Sequence, residues 1–270
     1  MESQSKPERL GNILARLPPR ATPTPGEPTP PGDQAGPPTT VETCPLCQGM
    51  GWVGVKVPVG DSRFGKVFPC ACLQQKEAAS RHDRLLAWAE LSKGLQHLNF
   101  DAIVREQAQD GAMETAFAFA RGELPERWLV LSGGSGTAKT HLAVAVLLWR
   151  IDHPGDLAAV GKYVNVPDML DDLRAGFRDD SYEDRFDRYR DVALLVLDDL
   201  GAQNGTPWAH EKLYQLLDKR GRERMETVVT TNMRPDAMPP RIADRILDTG
   251  TGLAKLVTMD GASYRSGRRW

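Results

Sequence analysis

No stretch of the 270-residue chain approaches the roughly 18 consecutive apolar residues that a membrane span needs. The N-terminus, MESQSKPERLGNIL, lacks the apolar segment of a secretory leader. Neither sign of charge dominates: 34 Lys+Arg oppose 36 Asp+Glu, a net charge of -2, which excludes a histone-like mass binder of nucleic acid but leaves room for a local basic patch. These shortages imply a cytoplasmic protein with no membrane partner, in a compartment where disulfides are rare. Cysteine is scarce too, and its four copies require another explanation.

Proline is plentiful but uneven. Half of the 20 prolines fall in residues 1–40, where PPRATPTPGEPTPPGDQAGPP spans Pro18 to Pro38. That segment has too little apolar content to offset the entropy of ordering, so residues 1–40 read as a disordered, polyproline-like tether. A PxxP ligand is the alternative reading. Ahead of the proline run, Glu8 to Leu17 places Leu10, Ile13, Leu14 and Leu17 on one side of a short helix suited to docking on a partner.

The cysteines form two tight pairs, Cys44/Cys47 and Cys70/Cys72, separated by 22 residues. Closely spaced cysteines on turns supply two thiolates per knuckle, and Zn²⁺ takes four in a closed structural site. Residues 52–69 are expected to form the hairpin that returns the second pair to the first. Two other readings stay open, four unrelated buried thiols and a redox CxxC, although the latter normally sits in a strand–helix context. Residues 41–75 are thus assigned to a zinc-binding module and residues 76–95 to a helical linker, with Leu85, Leu86, Trp88 and Leu91 as its apolar positions.

From Trp128 the pattern alternates apolar strand runs with amphipathic stretches, the signature of an α/β domain with a mostly parallel sheet, and residues 96–270 are assigned to that domain. Arg127 to Ser132 reads as a buried strand and Leu142 to Ile151 as a helix. Between them lie Gly133, Gly134, Ser135, Gly136, Thr137, Ala138, Lys139 and Thr140, followed by His141. Strand, glycine-rich loop, Lys-Thr and helix form the setting of a phosphate-binding loop. Loop N–H groups cradle phosphates, Lys139 reaches the β- and γ-phosphates of ATP, and Thr140 binds Mg²⁺. Ala138 stands where the pattern G-x-x-x-x-G-K-[ST] has glycine, so either a small backbone shift accommodates the methyl or the loop is a degenerate remnant.

Val192 to Leu197 is an apolar strand ending in Asp198-Asp199, which would deliver one carboxylate to Mg²⁺ and a second to the attacking water. Thr227 to Asn232 reads as another strand, with Asn232 placed to orient that water or sense the γ-phosphate. Arg241 and Arg245 share one helical face. They form either a solvated basic face or an arginine finger acting on a neighbour's ATP.

Together GGSGTAKTHLAVAV, VALLVLDDLGAQ, VVTTN, RIADRILD and SYRSG resemble the AAA+ ATPases of the DnaC/DnaI type, bacterial helicase loaders whose close kin are the IstB transposition ATPases. CPLCQGMGWV and FPCACLQ resemble the zinc-binding segment of DnaI-type loaders. The resemblance covers residues 41–270 and implies an AAA+ P-loop core without a helical lid. It also implies ATP hydrolysis with Mg²⁺, an ATP-dependent self-assembly, and two partners: single-stranded DNA and a replicative helicase, or a transposase in the IstB case. It places Asn232 at sensor 1, Arg245 at the arginine finger and Arg265 at sensor 2. Asp199 stands where AAA+ enzymes commonly carry Glu, and its shorter arm implies slow hydrolysis. A non-hydrolysing adaptor is the alternative from a different class. For DNA, Arg174, Phe177, Arg178, Tyr182, Arg185, Arg188 and Trp208 are the candidates, against the plainer reading of the aromatics as packing residues.

Overall fold

The structure, a computed structural model, describes residues 44–103, 110–153, 161–202 and 205–259. The proline-rich tether, the Glu8–Leu17 helix and Arg265 lie outside the described residues. Residues 44–49 form a turn in which the Gln48 N–H donates to the Cys44 carbonyl at 2.8 Å. A hairpin follows, β1 (Trp52–Gly54) antiparallel to β2 (Val67–Pro69), as the spacing of the cysteine pairs implies. Helix α1 (Ala71–Trp88) starts directly after Cys70, five residues earlier than the sequence suggests, because Cys70 is extended and serves as its N-cap. It ends where Glu90 turns into the left-handed region, and Leu91 is buried beyond it.

The α/β core contains α2 (Asp110–Ala120), β3 (Trp128–Gly133), α3 (Lys139–Asp152), β4 (Gly161–Asn165), α4 (Val166–Gly176) and α5 (Tyr182–Arg190). Then come β5 (Leu194–Leu200), α6 (Pro207–Arg222), β6 (Glu226–Thr231), α7 (Pro240–Ile246) and β7 (Ala254–Met259). Five strands form one sheet in the order β4-β5-β6-β3-β7, every pairing parallel. A parallel sheet covered on both faces needs apolar residues on both sides of its strands, which is why β3 and β5 read as continuous apolar runs.

The period of two shows in where those residues go. Leu129, Leu131, Leu194, Val196 and Val228 pack with α2 and α3 on one face. Trp128, Val130, Leu195, Leu197 and Val229 pack with α4, α5, α6 and α7 on the other. Placing β5 and β6 beside β3 brings the ends of these three strands, and the residues following them, to one edge of the sheet.

Two buried arginines tie the layers together. The Arg150 guanidinium, on α3, bonds the Ala120 and Phe119 carbonyls at the end of α2 and the Glu226 carboxylate at 3.0 and 3.2 Å. Arg220 is fully buried; its guanidinium donates to the Thr227 hydroxyl and to carbonyls of Tyr189, Arg190, Val192, Ala193 and Glu226. A charge without water needs such a cage of acceptors.

The end of α1 is fastened to the edge strand. The Tyr163 N–H donates to the Ala89 carbonyl at 3.0 Å, while the Lys162 ammonium donates to the Trp88 carbonyl at 3.0 Å and to the Glu90 carboxylate. No helix among the described residues is long and apolar enough to cross a membrane.

Candidate functional site

The loop from Gly133 to Thr140 leaves β3 and enters α3, so the first N–H groups of that helix face the space above the sheet. Gly133 is required by contact: a Cβ there would lie 2.2 Å from the Met259 carbonyl oxygen on β7. Ala138 takes the glycine position of the pattern and also the glycine conformation, φ 65° and ψ 17°, as the N-cap of α3. The loop has therefore kept its backbone shape despite the methyl, at a cost of about 1–2 kcal/mol for a left-handed residue with a Cβ. The Lys139 ammonium sits inside the loop, donating to the Gly134 carbonyl at 2.6 Å, the Gly133 carbonyl at 3.0 Å and the Thr137 hydroxyl at 3.3 Å.

Asp198 anchors the other side. It is 3% exposed, at the end of the apolar run of β5, and accepts hydrogen bonds from three hydroxyls. Its Oδ1 accepts from Thr230 at 2.6 Å and Thr140 at 2.9 Å; its Oδ2 accepts from Tyr163 at 2.8 Å and Thr140 at 3.1 Å. The pairing of β5 with β6 shifts register between Leu197 and Leu200, and Asp199 adopts φ 59° within that irregularity. A bulge re-aims side chains, and this one turns Asp199 away from the buried position of Asp198. The Asp199 N–H donates to the Thr230 hydroxyl at 2.9 Å, and its Oδ1 accepts from the Asn232 amide at 3.3 Å.

A cavity of about 390 Å³ joins these parts. Ser135 to His141 form one wall, Asp199 and Asn232 another, and Leu95 and Leu98 a third. The size falls within the range for small-molecule sites of about 300–1,000 Å³. A phosphate-binding floor beside two leucines suits a ligand with a polyphosphate tail and an apolar-faced ring. The His141 ring lies 3.0 Å from the Asn99 carbonyl oxygen, tying the leucine-bearing segment to α3, and burial lowers its pKa. Thr140 and Asp198 present hard oxygen donors 2.9 Å apart, a donor set that fits Mg²⁺.

All sequence-derived residues from Gly133 to Thr140 therefore gather with His141, Asp198, Asp199 and Asn232. Tyr163, Thr230, Leu95, Leu98 and Asn99 were not anticipated. Thr230 carried a faint signal, as a polar residue inside a strand that ends in a candidate sensor; Tyr163 carried none. Arg245 is placed elsewhere: its guanidinium donates to Asp218 of α6 at 2.6 Å, and bonding to Tyr214, ahead of the Asp218 charge, raises its pKa. Arg241, four residues earlier, lies over the Tyr214 ring. The two arginines thus share a face, directed along α6.

Among the described residues, one group of side chains is able to hold a metal ion by cysteine ligands: Cys44, Cys47, Cys70 and Cys72, with ligand atoms all within 4.8 Å of one another. Cys47 and Cys70 are buried. Four thiolates held tetrahedrally at about 2.3 Å from one Zn²⁺ lie within that limit of one another, so the donor set fits that ion.

The aromatic candidates also gather. Phe177, 59% exposed, stacks on Tyr182 at 4.4 Å and meets the Trp208 ring edge-on at 6.1 Å. Arg174 lies over Trp208 at 4.9 Å. The basic residues nearby are largely matched by acids: Arg185 by Asp172 and Asp179, Arg174 by Asp171, and Arg188 more loosely by Asp172 and Glu90.

A family model described as IstB-like ATP binding protein matches residues 71–269. An insertion-sequence ATP-binding protein of Mycobacterium tuberculosis is 28% identical over 210 residues, covering 73% of this chain and 80% of that protein. The replicative helicase loader DnaC of Escherichia coli is 29% identical over 143 residues, covering 51% of this chain and 56% of that protein. The chain therefore spans only about half the length of DnaC. Among solved structures, a DnaC helicase loader superposes with a TM-score of 0.53 at 22% identity, covering 62% of this chain and 99% of the other. The replication initiator DnaA bound to AMPPCP and single-stranded DNA gives 0.52 at 16% identity, covering 62% and 50%. At these identities the likeness is one of fold.

Replacing Ala138 by Gly removes the left-handed strain of about 1–2 kcal/mol but adds unfolded-state entropy of about 0.5–1 kcal/mol, leaving a net gain of about 0–1.5 kcal/mol. Ala138→Gly is expected to raise the melting temperature slightly and to tighten binding of a fluorescent ATP analogue with Mg²⁺ by a few-fold. Parallel melts and titrations of the two proteins check this.

Proposed function

Because the chain belongs to the IstB-like ATP-binding family of AAA+ proteins, we propose that it binds and hydrolyses ATP as an assembly-controlled switch that delivers a partner protein to DNA. The observation that carries this reading is the convergence of Lys139, Thr140, Asp199 and Asn232 on one cavity, with Asp198 buried behind Thr140 and bonded to it.

Each residue has a role that follows from its position. The phosphate loop holds the triphosphate through backbone N–H groups, and Lys139 exchanges its carbonyl partners for phosphate oxygens. Thr140 and Asp198 would hold Mg²⁺, which when bound neutralises charge on the β- and γ-phosphates. Asp199 accepts a proton from the attacking water, and the Asn232 amide fixes that carboxylate's orientation. Arg245 acts in trans: it lies on α7, bonded to Asp218 of α6 and outside the cavity of its own chain, and a neighbour's γ-phosphate would draw it from Asp218. Release of phosphate then removes the contact that holds neighbours together. Arg265 is assigned the sensor-2 role.

For DNA, Phe177 with Tyr182 and Trp208 offers a stacking surface, and Arg174 lies over the Trp208 ring. The acids paired with Arg174, Arg185 and Arg188 make stacking, rather than charge, the main contribution. The four cysteines hold a structural zinc ion.

The delivered partner separates two readings. A transposase is favoured by the family model and by the insertion-sequence relative, 80% of whose length is matched. A replicative helicase is favoured by the 29% identity to DnaC over 143 residues.

Purified protein should hydrolyse ATP, faster with single-stranded DNA, and Lys139→Ala should abolish turnover. Arg245→Ala should bind ATP almost normally yet turn over at least tenfold more slowly, and mixing it with Lys139→Ala should restore part of the rate. No turnover in any condition would leave the adaptor reading. Co-purification of the tagged full chain with a transposase rather than a hexameric helicase would decide between the partners.

Elemental analysis should find one zinc per chain, and Cys70→Ser should lower that content and the melting temperature together. A metal-free chain with unchanged stability would overturn the zinc assignment.

A further inference from the structure

Tyr163 joins the end of α1 to the buried carboxylate at the nucleotide site. Its backbone N–H is held by the Ala89 carbonyl at the end of α1, and its hydroxyl donates to Asp198 Oδ2 at 2.8 Å. Lys162, one residue earlier, closes the same junction by bonding the Trp88 carbonyl and the Glu90 carboxylate, and its ammonium lies 5.3 Å from the centre of the Trp88 ring. Edge strand β4 thus has α1 on its outer side and, through one side chain, the magnesium-binding carboxylate on its inner side.

The geometry at Asp198 gives that bond a distinct task. A carboxylate on a single bond from its Cβ rotates unless both oxygens are held. Thr140 donates to both oxygens from one side, but it is also a magnesium ligand in the reading above. Of the donors that bind no metal, Thr230 holds Oδ1 and Tyr163 holds Oδ2.

We propose that Tyr163 is a positioning residue for Asp198, and that it couples the seating of α1, the helix leading out of the cysteine-bearing segment, to magnesium affinity at the nucleotide site. The inference rests on the Mg²⁺–ATP reading of that site. A displacement of α1 that shifts Trp88, Ala89 and Glu90 moves the backbone of β4 and, with it, the hydroxyl that holds Oδ2. What binds the N-terminal part of the chain is thereby able to change the response of the nucleotide to Mg²⁺ without touching the phosphate loop.

The test is an equilibrium titration of Mg²⁺ at fixed fluorescent ATP analogue, with the full chain. Outer ligands of a metal site typically change affinity by about 10–100-fold when lost. Tyr163→Phe, which keeps the ring, is expected to raise the half-saturating Mg²⁺ concentration about tenfold while nucleotide affinity in EDTA stays within twofold. Lys162→Met should raise it about threefold in the otherwise native chain and not further in the Tyr163→Phe background, since the latch acts through the hydroxyl. Lys139→Ala is the control for loss of the nucleotide site as such.

Wild-type protein that binds no nucleotide with Mg²⁺ would overturn the nucleotide reading, and this inference with it. Wild-type binding with an unchanged Mg²⁺ response in Tyr163→Phe would overturn the positioning role alone. An equal loss of affinity with and without Mg²⁺ would also overturn it, because that is the mark of a general packing defect. A full threefold effect of Lys162→Met in the double variant would overturn the coupling. Thermal unfolding in EDTA shows whether Tyr163→Phe folds; should it not, the Lys162→Met titration decides, and no shift there overturns the proposal.

Discussion

A carboxylate that is almost without water has to be met by hydrogen-bond donors, and in this fold the donors to Asp198 come from three different elements. Thr140 arrives from α3, Tyr163 from β4 and Thr230 from β6. None of these is near Asp198 in the chain. Satisfying one buried group therefore requires that β5 lie between β4 and β6 in parallel register, and that the phosphate loop close over the end of the sheet. Leaving such a group unpaired costs at least several kcal/mol, so its partners specify the strand order as firmly as the apolar core does. The site and the fold are in this respect one arrangement.

The motifs were legible because they are local. Gly133 to Thr140 carry their chemistry within eight residues, and their position between an apolar strand and a helix is visible as a change of periodicity. Asp198-Asp199 was legible for the same reason, as polar residues ending a run of six apolar ones. What stayed hidden depends on contacts between distant parts of the chain. Tyr163 lies 35 residues from Asp198, in a short strand whose residues GKYVN have no regular alternation. Arg150 and Arg220 belong to no motif, and only the packed structure places them in cages of hydrogen-bond acceptors. Leu95 and Leu98 sit in irregular backbone, where spacing carries no information about what a side chain covers. The aromatic trio was legible as a set of candidates but not as a cluster, since Trp208 comes from another helix than Tyr182.

The two residues that depart from expectation for an ATPase of this kind share one conformation. Ala138 and Asp199 both lie in the left-handed region, at φ 65° and 59°, on opposite sides of the same cavity. Each such residue costs about 1–3 kcal/mol and persists only where its surroundings determine the backbone. Those surroundings are present on both sides. Ala138 is followed by α3, whose apolar face from Leu142 to Leu147 is wholly buried, and Asp199 is held by its N–H bond to Thr230 and by the buried residues before and after it. Asp tolerates this region better than most residues, because its short polar side chain bonds locally; Ala has no such compensation. A methyl retained at Ala138 therefore reflects a loop whose shape is dictated from α3 and from the close contact of Gly133 with β7, not by the flexibility of glycine at its end. A loop held from both sides presents its N–H groups in a fixed array, which is what recognition of a polyphosphate requires.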